Sequence, residues 1–330
     1  MLIFSGLFFV PQSRSADSCQ HYTDADIQNS DMAVYRENYI PKEYFPERDF
    51  WQYADIAFMS FLLLAGFTVI VRRGKSRNLT FLAAMALLYF GVVRGGCICP
   101  VGSVANLAVG LKTPNMLGRI TLAIFMIPLI SAWLFGRVFC TTACPLGTVQ
   151  HLLYKRKKFV RLPRVFLIIG VASTTLVLVL TIVSALFRSR FLVCELDPYR
   201  VLFFNGYAWF KQLSGFLLHN PQPEHVILLA CSGGLLVYTA IIMIVGWWVP
   251  RPFCRFLCPY GVLLGLVSIV AFRRRTIDRD TCVLCGQCEK ACPVQAISMD
   301  RPSKQISLSS YHCVQCGKCS DACRFDSIKN

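Results

Sequence analysis

Five long apolar runs dominate the sequence and constrain what the chain can fold into. They cover roughly residues 54–71, 79–93, 118–136, 165–187 and 225–249. A helix needs about 20 apolar residues to cross the hydrocarbon core of a bilayer, and all but the second run come close to that length. Only 16% of the residues are charged, whereas about a quarter are charged in soluble domains. The pattern predicts a polytopic α-helical membrane protein with about five transmembrane helices.

Basic residues cluster beside three of these runs and predict the orientation of the chain. The clusters lie at 72–77, 155–164 and 273–275. Loops rich in Lys and Arg stay on the cytoplasmic side of a membrane. We therefore expect a multi-pass protein of the cytoplasmic membrane whose C-terminus is cytoplasmic. The formal net charge of +16 then faces mainly lipid headgroups, and no nucleic-acid partner is expected.

The ends of the chain differ from the apolar centre and suggest four segments. Residues 1–16 have the short apolar run of a signal peptide or an uncleaved anchor, and the sequence leaves both open. Residues 17–50 are polar and acidic, which predicts an extracytoplasmic arm. A transmembrane domain at 51–275 and a cysteine-rich domain at 276–330 follow.

Eight of the 17 cysteines form two copies of the spacing C-x2-C-x2-C-x3-C near the C-terminus. Three cysteines at this spacing bind three corners of a cubane iron–sulfur cluster, and the fourth binds a second cluster. The predicted ligands of the first cluster are Cys282, Cys285, Cys288 and Cys323, and those of the second are Cys313, Cys316, Cys319 and Cys292. Zinc also binds C-x2-C pairs, but usually as two separated pairs. The repeat therefore predicts a small α+β ferredoxin-like domain with two [4Fe–4S] clusters.

A second motif, C-x3-C-P-x-G, occurs twice where an apolar run ends, and we call these two copies the inner elbows. They contain Cys140 and Cys144 in the first copy, and Cys254 and Cys258 in the second. Proline favours the first turn of a helix, which places the preceding cysteine at a helix N-terminus. The amides and the helix dipole there favour a thiolate or an anionic cluster. The four cysteines predict one further redox centre, although packed cysteines without a ligand are the alternative.

A degenerate third copy, C-I-C-P, lies on the predicted outer side of the membrane. It contains Cys97 and Cys99, and Cys194 is expected on the same side. These cysteines could form an outer metal centre, a disulfide or neither, and the sequence leaves the three open. No C-x-x-C-H motif occurs, so covalently attached haem is not expected.

The elbows F-G-R-V-F-C-T-T-A-C-P-L-G and R-P-F-C-R-F-L-C-P-Y-G, together with the C-terminal repeat, resemble one family. It is the membrane-bound polyferredoxins of the NosR, NapH and CcoG type, and the resemblance covers roughly residues 80–330. The resemblance implies electron transfer between the membrane or cytoplasm and a redox partner protein, often periplasmic. Some relatives carry an extracytoplasmic flavin domain, for which the arm is too short, so any flavin would belong to a partner.

Two functions of different classes remain open from the sequence. In the first, the chain transfers electrons between cytoplasmic ferredoxin-type clusters and a membrane or extracytoplasmic partner, with a quinone as one candidate acceptor or donor. In the second, it is a redox assembly or maturation factor for a respiratory metalloenzyme. No nucleotide-binding fingerprint or nucleophile motif is evident, so we expect an electron-transfer subunit without independent catalysis.

Overall fold

The structure is a computed structural model, and it describes most of the chain after residue 46. The described residues are 47–72, 75–94, 100–112, 119–154, 162–188, 197–198, 201–202, 223–300 and 305–329. The predicted signal peptide or anchor and nearly all of the predicted arm lie outside these ranges. So do Cys97, Cys99 and Cys194, so the predicted outer centre remains a prediction.

Helices account for the described part of the chain before residue 270. They are α1 Glu47–Val71, α2 Ser76–Ala86, which continues as the π-helix Leu87–Val93, α3 Pro100–Lys112, α4 Arg119–Phe135, α5 Phe139–Thr142, α6 Pro145–Leu153, α7 Arg164–Arg188, α8 Pro223–Val245, α9 Pro252–Phe256 and α10 Pro259–Ile269. Each of the five apolar runs forms a helix. Helix α1 begins at Glu47, inside the segment predicted as the arm.

Three of these helices are long and apolar enough to cross a membrane. Within the described residues they are Phe50–Val71, Ser76–Val93 and Val165–Phe187. The described parts of α4 and α8 form shorter apolar helices, Arg119–Phe135 and Gly234–Val245. Helix α7 packs on α3, α9 and α10, and α4 packs on α1, α3 and α10. The mostly helical architecture and three candidate spans agree with a membrane protein, whereas five spans remain a prediction.

A buried ion pair joins α1 to the end of α2. The fully buried carboxylate of Asp55 accepts hydrogen bonds from Arg94 at 2.7 and 3.0 Å and from the Tyr89 hydroxyl at 2.9 Å. A charge among apolar helices is tolerated when a partner of opposite charge compensates it. This pair therefore fixes the two helices to each other near the end of the π-helix that continues α2.

The C-terminal region is a small α+β domain, as the sequence predicts. Its elements are β1 Thr276–Ile277, α11 Gln287–Ala291, β2 Ile297–Asp300, β3 Gln305–Leu308, α12 Lys318–Ala322 and β4 Ile328–Lys329. Strand β1 pairs antiparallel with β4, and β2 pairs antiparallel with β3. Helices α11 and α12 pack against each other, which brings the two cysteine repeats together.

This domain docks on one end of the helical domain through several polar contacts. The Ser76 amide, at the start of α2, donates to the Asp321 carboxylate at 3.0 Å. Arg137 follows α4 and donates to the Tyr311 carbonyl at 2.8 Å, and Ser268 in α10 donates to the Ser310 carbonyl at 3.0 Å. The start of α2, the end of α4 and α10 therefore face the C-terminal domain together.

The basic cluster 273–275 includes one buried residue. Arg275 is turned inwards and only 5% exposed. It hydrogen-bonds to Gln315 and Ser320 of the C-terminal domain. Its neighbour Arg274 is exposed, so adjacent arginines of one basic cluster have different roles.

Candidate iron–sulfur sites

Four cysteines line one cavity in the C-terminal domain, which we call the first ferredoxin cavity. The lining cysteines are Cys282, Cys285, Cys288 and Cys323. The first three lie on the loop before α11 and at its start, where Gly286 has φ +73° and turns the backbone around the cavity. Cys323 arrives from the other repeat, directly after α12. The remaining lining is glycine, serine and apolar side chains.

A second cavity, the second ferredoxin cavity, has the corresponding lining. Its cysteines are Cys292, Cys313, Cys316 and Cys319. The Ala296 amide donates to the Cys292 sulfur at 3.3 Å. Arg275 also lines this cavity and donates to the Cys319 sulfur at 3.5 Å. The second cavity therefore has a buried cation that the first one does not share.

The structure thus brings together the two sets of four cysteines that the spacing predicts. Each repeat contributes three cysteines to one cavity and passes its fourth, by way of a short helix, to the other. Ligation by these cysteines remains a prediction. Among the described residues, no group of three or more His, Cys, Asp or Glu side chains is placed to hold a single metal ion.

The inner elbows form a pair of matching turns beside the C-terminal domain. Cys140 lies in α5 and Cys144 caps the N-terminus of α6, while Cys254 lies in α9 and Cys258 caps α10. Proline opens both α6 and α10, which confirms the helix starts predicted from the sequence. The Gly147 amide donates to the Cys144 sulfur at 3.4 Å. Both elbows therefore present a cysteine at a helix N-terminus.

Burial makes these cysteines poor isolated thiolates. It raises the pKa of the Cys254 thiol to about 11, and the nearby Arg251 only partly offsets the effect. Burial also raises the pKa values of Cys144 and Cys258, and repulsion by the other elbow cysteines raises them further. The four cysteines thus lie within electrostatic reach of one another. As thiolates they need a positively charged group between them, and the irons of a cluster would supply one.

Two buried arginines connect the elbows across the site. Arg137 and Arg251 each stand three residues before the first cysteine of their own elbow, and they are 7% and 3% exposed. Arg251 donates to the Cys140 carbonyl of the other elbow at 3.0 Å. Arg137 lies beside Gly261 of the second elbow, and its charge interacts with Cys140, Cys258 and Cys254. Each elbow therefore holds the other in place and supplies it with a positive charge.

The polar atoms of this region fit an anionic group that the cysteines would hold. The Nε atoms of Arg137 and Arg251 are buried without a hydrogen-bond partner in the described part of the structure. Buried donors are normally paired, so unpaired guanidinium N–H groups beside four cysteines point to an acceptor there. An iron–sulfur cluster bound by four thiolates would provide that acceptor.

A third cavity lies between the elbows and the C-terminal domain. It is lined, among others, by Arg137, Arg251, Arg255 and Cys254 from the elbows and by Tyr311 and His312, which stand directly before the second cysteine repeat. Next to it, the Thr141 hydroxyl donates to the Val314 carbonyl. Because Thr141 follows Cys140 and Val314 follows Cys313, this contact links the elbows directly to the second ferredoxin cavity.

Comparisons with protein families agree with this arrangement of cysteines. A family model described as a 4Fe-4S binding domain matches residues 117–163 and 232–277, and each match contains one inner elbow. A family model described as a 4Fe-4S dicluster domain matches residues 274–324, which contain all eight cysteines of the C-terminal repeats. Both matches support iron–sulfur cluster binding by this chain. The number of clusters that it binds remains a prediction.

Three curated proteins illustrate what the chain is similar to. The uncharacterized protein MJ0750 of Methanocaldococcus jannaschii is 25% identical to this chain, and the match covers 63% of this chain and 78% of MJ0750. The uncharacterized protein MJ0749 of the same organism is also 25% identical, and the match covers 68% of this chain and 74% of MJ0749. The Escherichia coli protein named "Putative electron transport protein YccM" is 26% identical over 59% of this chain. The match spans about half of that protein, 52% of its length. No solved structure matches the chain.

The arginines of these sites were not predicted from the sequence. The repeated pattern R-x-F-C in both elbows was visible as R-V-F-C and R-P-F-C, and it would have identified Arg137 and Arg251. No comparable signal distinguishes Arg275 from its two basic neighbours.

Proposed function

We propose that this chain is a membrane electron-transfer protein with three [4Fe–4S] centres. Two would occupy the ferredoxin cavities, bound by the two sets of four cysteines, and the third would be held by Cys140, Cys144, Cys254 and Cys258 between the inner elbows. The observation that carries the proposal is the pair of cavities, each lined by four cysteines drawn from both repeats. The family matches support iron–sulfur binding at the elbows as well as in the C-terminal domain.

When bound, clusters of this type accept and release single electrons. The residues of the chain supply burial, thiolates and amide donors such as Ala296, and they keep the sites close together. The contact between Thr141 and Val314 joins the elbow centre to the second ferredoxin cavity. The first cavity lies nearer water, since the rim residues Val283 and Phe325 are 57% and 49% exposed. A donor or acceptor protein would therefore meet the first cavity most directly.

The membrane setting of the proposal rests on the apolar helices and the basic residues. We place the chain in the cytoplasmic membrane with about five spans and with the C-terminal domain in the cytoplasm. The docking of that domain beside the basic start of α2 supports this orientation. The redox partners would be a protein, flavin-containing or extracytoplasmic, or a quinone in the bilayer. Cys97, Cys99 and Cys194 are the candidates for an outer centre.

The resemblance to polyferredoxins of the NosR, NapH and CcoG type and the name of the E. coli relative support electron transfer in general. The described structure offers no observation that favours a role in metalloenzyme assembly over electron transfer.

The proposal can be tested by separating the elbows from the ferredoxin repeats. The purified full-length protein is reduced chemically, mixed rapidly with a soluble quinone analogue, and its reoxidation is followed by visible absorption. In the double variant Cys144→Ser/Cys258→Ser, the ferredoxin signals should remain while reoxidation slows by about tenfold or more. Cys231→Ser is the matched control, because Cys231 belongs to neither the elbows nor the repeats. Unchanged reoxidation in the double variant would refute the role of the elbows.

A further inference from the structure

We propose that Arg137, Arg251 and Arg275 set the order of the reduction potentials in this protein. The elbow centre would have the highest potential, the second ferredoxin cluster an intermediate one, and the first ferredoxin cluster the lowest. Electrons that enter the C-terminal domain would then run downhill towards the membrane domain. This inference rests on the proposed function, because it concerns the same three centres.

The physical basis is the change in charge on reduction. A cubane cluster with four thiolates is anionic, and taking up one electron adds one negative charge without breaking a bond or moving a proton. Cluster potentials depend on net charge, on hydrogen bonds to the sulfurs and on exposure to solvent. A cation held in a low-dielectric site interacts strongly with the added charge. Buried arginines therefore favour the reduced form of the centre that they face.

Among the described residues, two arginines act directly on the cysteines of the elbow centre. Arg137 and Arg251 are both more than nine-tenths buried, and each has an Nε atom without a partner in the described structure. The buried carboxylate of Asp197 acts on Cys254 in the opposite sense, but more weakly than either arginine. At Cys254 the two arginines together therefore outweigh Asp197.

One arginine faces the second ferredoxin cavity. The Arg275 guanidinium donates to the Cys319 sulfur at 3.5 Å and is held there by Gln315 at 2.9 Å and Ser320 at 2.8 Å. Three hydrogen bonds fix its position, and its 5% exposure keeps water from screening its charge. Arg255 also lies within electrostatic reach of Cys292, between this cavity and the elbows.

The described residues that line the first ferredoxin cavity include no Lys, Arg, Asp or Glu. Arg324 follows Cys323 but is exposed, so solvent screens its charge. Cys285 is also exposed, and water near it stabilises the reduced form to some degree. A full charge fixed in a buried site has the stronger effect, which leaves the first cluster with the lowest potential.

The test is a redox titration of the full-length protein followed by electron paramagnetic resonance, which reports a midpoint potential for each centre. The elbow signal is identified by its loss in Cys144→Ser/Cys258→Ser. Arg275→Gln should lower the reduced-to-oxidised ratio of the second cluster about tenfold at a fixed ambient potential, equivalent to about 59 mV. Arg275→Lys should restore most of this ratio. Arg274→Gln, at the exposed neighbour, should leave the potentials of all three centres unchanged. Arg137→Gln and Arg251→Gln should each shift the elbow signal in the same direction.

All three potentials are measured in the unaltered protein, and the variants serve only to assign each signal to its site, so a variant that loses the iron of its own site still assigns that signal. An elbow centre that titrates below either ferredoxin cluster would overturn the inference. So would an Arg275→Gln protein with full iron content and unchanged potentials. An iron content of about eight per chain, with only two titrating centres, would instead refute the elbow cluster of the proposed function.

Discussion

Adding a single methyl group at Gly147 should disturb the elbow centre. A Cβ atom added there would stand 2.7 Å from the Cys140 carbonyl oxygen and 3.6 Å from the Cys144 sulfur. Ordinary contact begins near 3.4 Å, so the two atoms must separate by about 0.7 Å, the difference between 3.4 and 2.7 Å. Plausible metal-ligand distances vary by only about 0.2 Å. Because the obstructing atom is backbone and belongs to a predicted ligand, the shift should displace Cys140 from the centre.

The free energy of unfolding should fall less clearly than the cluster content. Overpacking costs about 1–3 kcal/mol, whereas replacing glycine by alanine inside a helix stabilises it by about 1 kcal/mol. The net loss for Gly147→Ala is therefore about 0–2 kcal/mol. Iron and acid-labile sulfide per chain are the sharper assay, and we expect a fall from about twelve to about eight of each, on four irons per cluster.

Two other glycines provide graded controls for this experiment. At Gly261, the equivalent of Gly147 in the second elbow, a Cβ would meet the Cys254 carbonyl at 3.4 Å and Arg137 at 3.3 Å, so Gly261→Ala should cost less iron. At Gly234, no atom of the described residues lies within 4 Å of an added Cβ, so Gly234→Ala should keep the full iron content. A Gly147→Ala protein with the full iron content would show that the elbow is not as tightly packed around a centre as we infer.

Three further predictions concern the contacts around the sites. Asp55→Asn should destabilise the protein by about 3–5 kcal/mol in thermal unfolding in detergent, because Arg94 loses its buried counter-charge; wild-type stability would contradict this. Thr141→Val should cost about 1–3 kcal/mol by leaving the Val314 carbonyl unpaired, and hydrogen exchange at residues 311–316 should rise, whereas Thr141→Ser should not raise it. Removing iron with a chelator should unfold the C-terminal domain before the helical domain, because the cysteines of each cavity join both repeats. Limited proteolysis measures this, and equal protease resistance of the C-terminal domain with and without iron would refute the prediction.

The grouping of the eight C-terminal cysteines around two cavities could be predicted from the sequence because their spacing is a local property. Four cysteines within eleven residues determine which sulfurs can share one cubane cluster, and the exchange of the fourth cysteine follows from the short helix before it. The elbow helices were equally predictable, because Pro145 and Pro259 open them.

The arginines could not be assigned in this way, because their roles depend on tertiary packing. Arg275 is separated by 44 residues from Cys319, to which it donates, and nothing in its own basic cluster indicates that it turns inwards. Arg251 reaches a carbonyl 111 residues away. The pairing of Asp55 with Arg94 is also long-range, over 39 residues. Periodicity and motif spacing do not report contacts of this kind.

The most direct test of the proposed function is the number of iron and acid-labile sulfide atoms in the purified full-length chain. Three [4Fe–4S] centres predict about twelve of each per chain, with a fall to about eight in Cys144→Ser/Cys258→Ser and no change in Cys231→Ser. About eight of each in the unaltered protein would contradict a cluster at the elbows. Zinc without acid-labile sulfide would contradict iron–sulfur chemistry in this chain altogether.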